Sequence, residues 1–183
     1  NQIDKALERY KAALALAPDD VDIKLQVARA MVEARDRNAE SKLNEVLTAC
    51  SSSPAPDVCI TDARHFLGRA QLNRGAYADA AANLKIAVDR GDSNPQYHLY
   101  YGWALVEQTR LDEAEKSINH ALELDKSLGN AYWLRAEVYE KRGQHHEAIE
   151  QARKALEYNP SRHDAHVTIG LALKQLGSDN AAL

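Results

Sequence analysis

Four histidines stand in two close pairs, His145 with His146 and His163 with His166, and they are the residues of this 183-residue chain with the most obvious chemical potential. Imidazoles gathered in space bind metals or carry protons. Here the intervening sequence keeps the pairs apart. His145 and His146 precede a helix-like stretch that His163 follows, and a helix of about 14 residues is about 20 Å long. The two pairs are therefore expected at opposite ends of that helix, where they cannot share an ion. His163 and His166 alone share a face at i, i+3, and solvated surface is the expected setting. The acidic residues Asp112, Glu113 and Glu147 fall where helices should begin, and there carboxylates complement the helix dipole without any catalytic role. The chain lacks a glycine-rich phosphate loop, a nucleophile elbow and a metalloprotease motif. No catalytic residue, no metal ligand and no cofactor is read from it, and the expectation is a protein that is not an enzyme.

The cysteines are a second candidate. Cys50 and Cys59, the only two, bracket the run "TACSSSPAPDVC". Pro54 and Pro56 lack amide donors, so the run reads as a loop. A closed loop of about 10 residues stabilises by roughly 2–3 kcal/mol on a chain-entropy estimate. An even count flanking one loop points to a disulfide, and so to an oxidising compartment such as the periplasm. Two unpaired thiols in a cytoplasmic protein are the alternative. No further Cys or His pair is placed to complete a zinc site.

The elements that would position these groups are helical. Ala, Leu, Glu and Lys are abundant and β-branched residues sparse, which favours helix over sheet. The net charge is −4 and no Lys/Arg block stands out, which argues against nucleic acid or anionic lipid as partner. No apolar run approaches the roughly 18 residues of a membrane span. The chain opens on Asn1 rather than Met, as expected of a piece of a longer protein whose targeting segment has been removed.

A period of 34 organises the helices. Small residues recur at Gly68, Gly102, Ala136 and Gly170. Alanines recur at Ala80, Ala114, Ala148 and Ala182, and again at Ala87, Ala121 and Ala155. Turn glycines recur at Gly75, Gly143 and Gly177, with Thr109 in the vacant place. Each repeat reads as two helices, for example Pro95–Gln108 and Leu111–Leu124, joined by a turn too short for anything but an antiparallel hairpin. A glycine at mid-helix gives up about 1 kcal/mol of propensity relative to Ala, and close packing of backbones against its neighbours offsets it.

The stretches "YYGWALVEQTRLDEAEKSINHALELD" and "AYWLRAEVYEKRGQHHEAIEQARKALEYNP" resemble the tetratricopeptide repeat (TPR), with Tyr132, Ala136, Tyr139, Gly143, Ala148, Ala155 and Pro160 in the motif's places. Arg64, His98 and His166 depart from its early aromatic position, and Arg135 from a usual Leu. The resemblance implies an all-α fold, a right-handed α-solenoid of stacked antiparallel helix pairs. One solenoid fragment is expected over 1–183: a half repeat at 1–20 supplying a helix B, a divergent repeat with a loop insertion at 21–60, regular repeats at 61–94, 95–128 and 129–162, and a half repeat at 163–183 supplying a helix A. Neither end carries the polar cap that terminates most repeat arrays. A longer parent solenoid or end-to-end self-association is the expected consequence.

The same resemblance implies that the A helices line a concave groove. The outward positions are then His65, Arg69, Leu72 and Asn73; Leu99, Trp103, Val106 and Glu107; and Trp133, Glu137, Glu140 and Lys141. Both tryptophans fall on this surface in adjacent A helices, close enough to flank one ligand. The alternative is that one or both rings fold down as core. The predicted ligand groove is Trp103, Trp133, Leu99, His65, Arg69, Glu107 and Glu137. Members that clamp the C-terminal carboxylate of heat-shock chaperones use Lys and Asn at positions held here by His65, Arg69, Leu99, Trp103, Trp133 and Glu137, so that specialisation is not expected. The partner implied is a protein segment in the groove, extended or helical. The alternative is a polysaccharide, as for periplasmic TPR modules of bacterial exopolysaccharide secretion.

Overall fold

The computed structural model describes residues 2–181; Ala182, the last of the alanine series, lies outside them. The described residues form ten α-helices and one 3₁₀ turn, with no strand among them. The chain divides into two compact units, Asn1–Asp92 and Ser93–Leu183.

In the N-terminal unit, α1 (Gln2–Leu16), α2 (Val21–Glu33), α3 (Ala39–Ala49), α4 (Pro56–Arg74) and α5 (Tyr77–Arg90) pack in sequence, with α2 also against α4. The Asp20 side chain caps α2 by accepting from the Ile23 amide at 3.0 Å. Leu25, Val32, Leu43, Val46 and Leu67 fill the interior. Cys50 and Cys59 form a disulfide, buried in the same cluster. Pro54 lies in the loop as expected, but Pro56 does not. Pro56 opens α4 instead of excluding helix, because the first helical position needs no amide donor. Cys59 therefore sits in the first turn of α4, and the disulfide ties that turn to the single 3₁₀ turn, Cys50–Ser52, which continues α3.

In the C-terminal unit, α6 (Pro95–Glu107) pairs with α7 (Leu111–Leu124), α8 (Gly129–Lys141) with α9 (His145–Tyr158), and α10 (His163–Ala181) closes on α8 and α9. Asn94 caps α6 through the Gln96 amide, with Pro95 at the first helical position. The A helices α6, α8 and α10 form one row, each touching the next. Leu105, Ile118, Leu134 and Val138 lie beneath them, fully buried. Arg142 clamps α7 from the end of α8, reaching Glu115 and Asp112, each at 2.6 Å.

The small residues act where a hairpin closes. A Cβ on Gly102 would lie 2.8 Å from Ile118 Cγ1, and one on Gly68 would lie 2.4 Å from Leu84 Cγ. Ala136 is fully buried at the same register. Gly170 departs from the series: a Cβ there would meet nothing within 4 Å. No described helix packs on α10 as its helix B, and α10 runs on through Gly177 to Ala181, where the repeat had predicted a turn.

Gly75 and Gly143 take positive φ at the hairpin turns. Thr109 (φ 57°) and Arg35 (φ 53°) adopt the same left-handed conformation at the turns after α6 and α2. All four turns close with the same pair of bonds, the longer one running from Arg110 N to Leu105 O, Gln144 N to Tyr139 O, Ala76 N to Gln71 O and Asp36 N to Met31 O. The backbone geometry is kept even where the residue strains it.

Candidate functional site

The seven groove positions divide between the units. His65 and Arg69 lie on α4, and Leu99, Trp103, Glu107, Trp133 and Glu137 lie on α6 and α8. His65 does not face outward. It is 4 % exposed, and its ring meets Phe66 edge to face at 5.0 Å. Burial, with Arg69 and Arg29 adding repulsion, lowers its pKa to about 3. Arg69 is 16 % exposed and bound to Glu33 at 2.7 Å, with its guanidinium over the Phe66 ring. These two residues form an internal network of the N-terminal unit and not an open contact surface. Leu72, Leu99 and Val106 are also buried. Each is an apolar member of the outward register that turned into the seam between helices, where burying a Leu or Val side chain gains roughly 1.5–3 kcal/mol.

The other groove positions meet on the C-terminal unit. Trp103 and Trp133 pack edge to face, with ring centroids 6.3 Å apart. Both are half-buried, resting against the core beneath while keeping part of their surface open. Tyr100 stacks on Trp103, and the Arg162 guanidinium covers Trp133 at 4.2 Å. Leu99 forms part of a small cavity of about 40 Å³ with Tyr100, Trp103, Trp133 and Arg162. The Trp103 indole N–H donates to Glu107 Oε1 at 3.1 Å, which orients that carboxylate.

A larger cleft of about 430 Å³ opens between α8 and α10. Trp133, Glu137, Glu140 and Lys141 form one wall, and His163, Asp164, Val167, Thr168 and Leu171 the other. Glu137 lies deep enough that burial, reinforced by Glu107 and then Asp164, pushes its pKa up to about 7, with Lys141 and Arg162 opposing. The histidine pairs are engaged separately: His145 Nδ1 contacts Glu140 at 2.9 Å and His166 Nε2 contacts the Pro160 carbonyl at 2.9 Å.

Two TPR models match the sequence, one over residues 67–128 and one over 129–162. The chain belongs to the tetratricopeptide repeat family. Its fold is the TPR α-solenoid of stacked antiparallel helix pairs, and TPR proteins typically serve as protein-interaction scaffolds. A thermophilic TPR protein of Thermus thermophilus is 25% identical with TM-score 0.68, over 93% of this chain and 90% of that one. MamA of Desulfovibrio magneticus RS-1, from residue 41 to its end, is 18% identical with TM-score 0.69, over 89% of each chain. YrrB, described as a TPR protein with an unusual peptide-binding site, is 21% identical with TM-score 0.65, over 90% of this chain and 82% of that one. The likeness to the last two is one of fold. A comparison with curated proteins finds no match.

Among the described residues no helix is long and apolar enough to cross a membrane. The TPR register also shows what the sequence reading missed. Val167 and Leu171 are the fifth and ninth residues of the last half repeat, the same places that Leu99 and Trp103, then Trp133 and Glu137, hold before them. Extending the register past the complete repeats would have found them. Tyr100 and Arg162 have no such signal, since Arg162 stands in a loop and reaches Trp133 only through the turn before α10.

Proposed function

We propose that this chain is a non-catalytic TPR scaffold that holds a protein segment against the A helices of its C-terminal unit. The observation that carries the reading is the cleft beside Trp133, in which Val167 and Leu171 remain 44 % and 50 % exposed. Exposed apolar groups rimmed by charge mark contact surfaces, and aromatic anchors dominate such contacts. The peptide-binding site in the description of YrrB is consistent with it. The disulfide supports an oxidising compartment such as the periplasm. A polysaccharide gains less support, because Tyr100 and Arg162 already occupy faces of the two indoles that a sugar ring would need.

The test is titration of the chain with peptide pools while following tryptophan emission. A saturable change is expected, lost in Leu171→Ser and Val167→Ser, whose side chains are too exposed for the substitutions to threaten folding. Silence with peptides beside a saturable response to a glucan would overturn the reading.

Self-association has an observation of its own. In the complete hairpins the paired alanines, such as Ala114 with Ala121 and Ala148 with Ala155, are fully buried. Ala6 and Ala13, their counterparts on α1, are only half-buried, and the matching surface at Gly170 of α10 is open. In this 183-residue chain, α1 of a second copy packed on α10 would complete a hairpin. Sedimentation should then show mass rising with concentration, and Gly170→Gln should abolish the rise. A constant monomeric mass at about millimolar concentration would reject it.

A further inference from the structure

The chemistry of the cleft narrows its occupant, an inference that rests on the groove reading above. Part of the lining is apolar, made by Val167 and Leu171 beside Trp133. Another part is acidic. Glu137 receives repulsion from Glu107 of α6 and Asp164 of α10, and Glu140 lines the same cleft. Two permanent cations face this group, Lys141 and Arg162. Arg162 is already committed: it covers Trp133, donates to Asn130 Oδ1 and lies 3.7 Å from Asp164 Oδ2. Lys141 is exposed at the rim. The remaining titratable groups are His163, exposed on α10, and His145, held by Glu140. Carboxylates therefore outnumber available cations around a partly dehydrated carboxyl group.

We infer that the occupant is a peptide segment with neighbouring cationic and apolar side chains, the lysine or arginine lying among Glu107, Glu137 and Asp164 and the apolar group on Val167 and Leu171. A cation there relieves the mutual repulsion of Glu107 and Glu137 and gains from the reduced dielectric around them. An acidic peptide would add to the repulsion, and a neutral one would leave it in place. The fixed Trp103 N–H contact holds the Glu107 carboxylate in position for the incoming charge.

Binding of such a segment requires Glu137 ionised. With its pKa at about 7, the ionised fraction rises from about a tenth at pH 6 to about nine-tenths at pH 8. Affinity for a cationic segment should rise about tenfold over that interval. His163 lines the cleft and His145 contacts Glu140, so a Glu137 variant must isolate the contribution of that carboxyl group.

The experiment uses three labelled peptides of about 12 residues, in which leucine alternates in patches with lysine, glutamine or glutamate. Binding to the full chain is measured by anisotropy and tryptophan emission at pH 6 and pH 8. The lysine peptide should bind at least about tenfold more tightly than the glutamine peptide at pH 8, tighten about tenfold between pH 6 and pH 8, and lose most of that pH dependence in Glu137→Gln. A urea midpoint for Glu137→Gln at or above the parent value checks that the variant is folded. Equal binding of the glutamine and lysine peptides, lost in Leu171→Ser, overturns this inference and leaves the groove reading standing. Persistence of the full pH dependence in Glu137→Gln likewise overturns it. Failure of all three peptides to bind removes both.

Discussion

Adding one methyl group at two equivalent positions should have opposite effects. Gly102 and Gly170 stand at the same place in the repeat and in the same compact unit. Replacing either with alanine removes a helical glycine and gains about 1 kcal/mol. At Gly170 nothing lies within 4 Å of the new Cβ, so the gain should appear in full as added stability. At Gly102 the new Cβ would lie 2.8 Å from Ile118 Cγ1 and 3.5 Å from the Ala114 carbonyl oxygen. Carbon atoms prefer about 3.5–4.0 Å, so α7 must move away or Ile118 must leave its position. Ile118 and Ala114 are fully buried, so either shift displaces packed core atoms. Overpacking of this kind costs about 1–3 kcal/mol, leaving Gly102→Ala neutral to about 2 kcal/mol destabilised. The two variants should differ by about 1–3 kcal/mol, which for a unit of this size is at least about 4 °C in Tm. Urea unfolding followed by the emission of Trp103 and Trp133, both in this unit, measures the difference directly. Equal midpoints for the two variants would refute the claim that close approach of the B helix is what selects glycine.

Glu137→Gln should leave stability unchanged near pH 4.5 and raise it by about 1–3 kcal/mol at pH 8. The folded pKa of Glu137 is raised, so its penalty is absent below the unfolded value and grows as pH climbs to about 7; a flat difference between the two pH values would contradict this. His65 acts in the opposite sense. Its folded pKa is depressed by burial, then by Arg69 and Arg29, so stability should fall as pH drops below about 6.5, and His65→Phe should blunt that acid limb in circular-dichroism melts. Reduction of the Cys50–Cys59 disulfide should lower stability by roughly 2–3 kcal/mol, as expected for closing so short a loop, with a Cys50→Ala/Cys59→Ala double variant insensitive to reductant. Thr109→Gly should stabilise by up to about 1 kcal/mol by relieving the left-handed backbone; a loss of stability in denaturant titration would mean that the threonine's local contacts outweigh the strain.

The helices and their pairing were legible because both follow from local rules. A 34-residue period with alanines and glycines at fixed places determines where two helices meet, and the short turns permit only hairpins. Observed α7 begins and ends where the repeat predicts, at Leu111 and Leu124. The disulfide partners were legible too, as the only two cysteines. The register alone determined that Trp103 and Trp133 would occupy equivalent surfaces of adjacent A helices. It did not determine which members of the outward register would stay there. His65, Leu72, Leu99 and Val106 turned inward, because a position on a helical wheel specifies a direction while burial depends on what the neighbouring helix leaves unfilled. The raised pKa of Glu137, the Arg162 cover on Trp133 and the cleft against α10 likewise exist only once three A helices lie side by side. Such features depend on distances between residues of different repeats, and tertiary packing alone sets those distances.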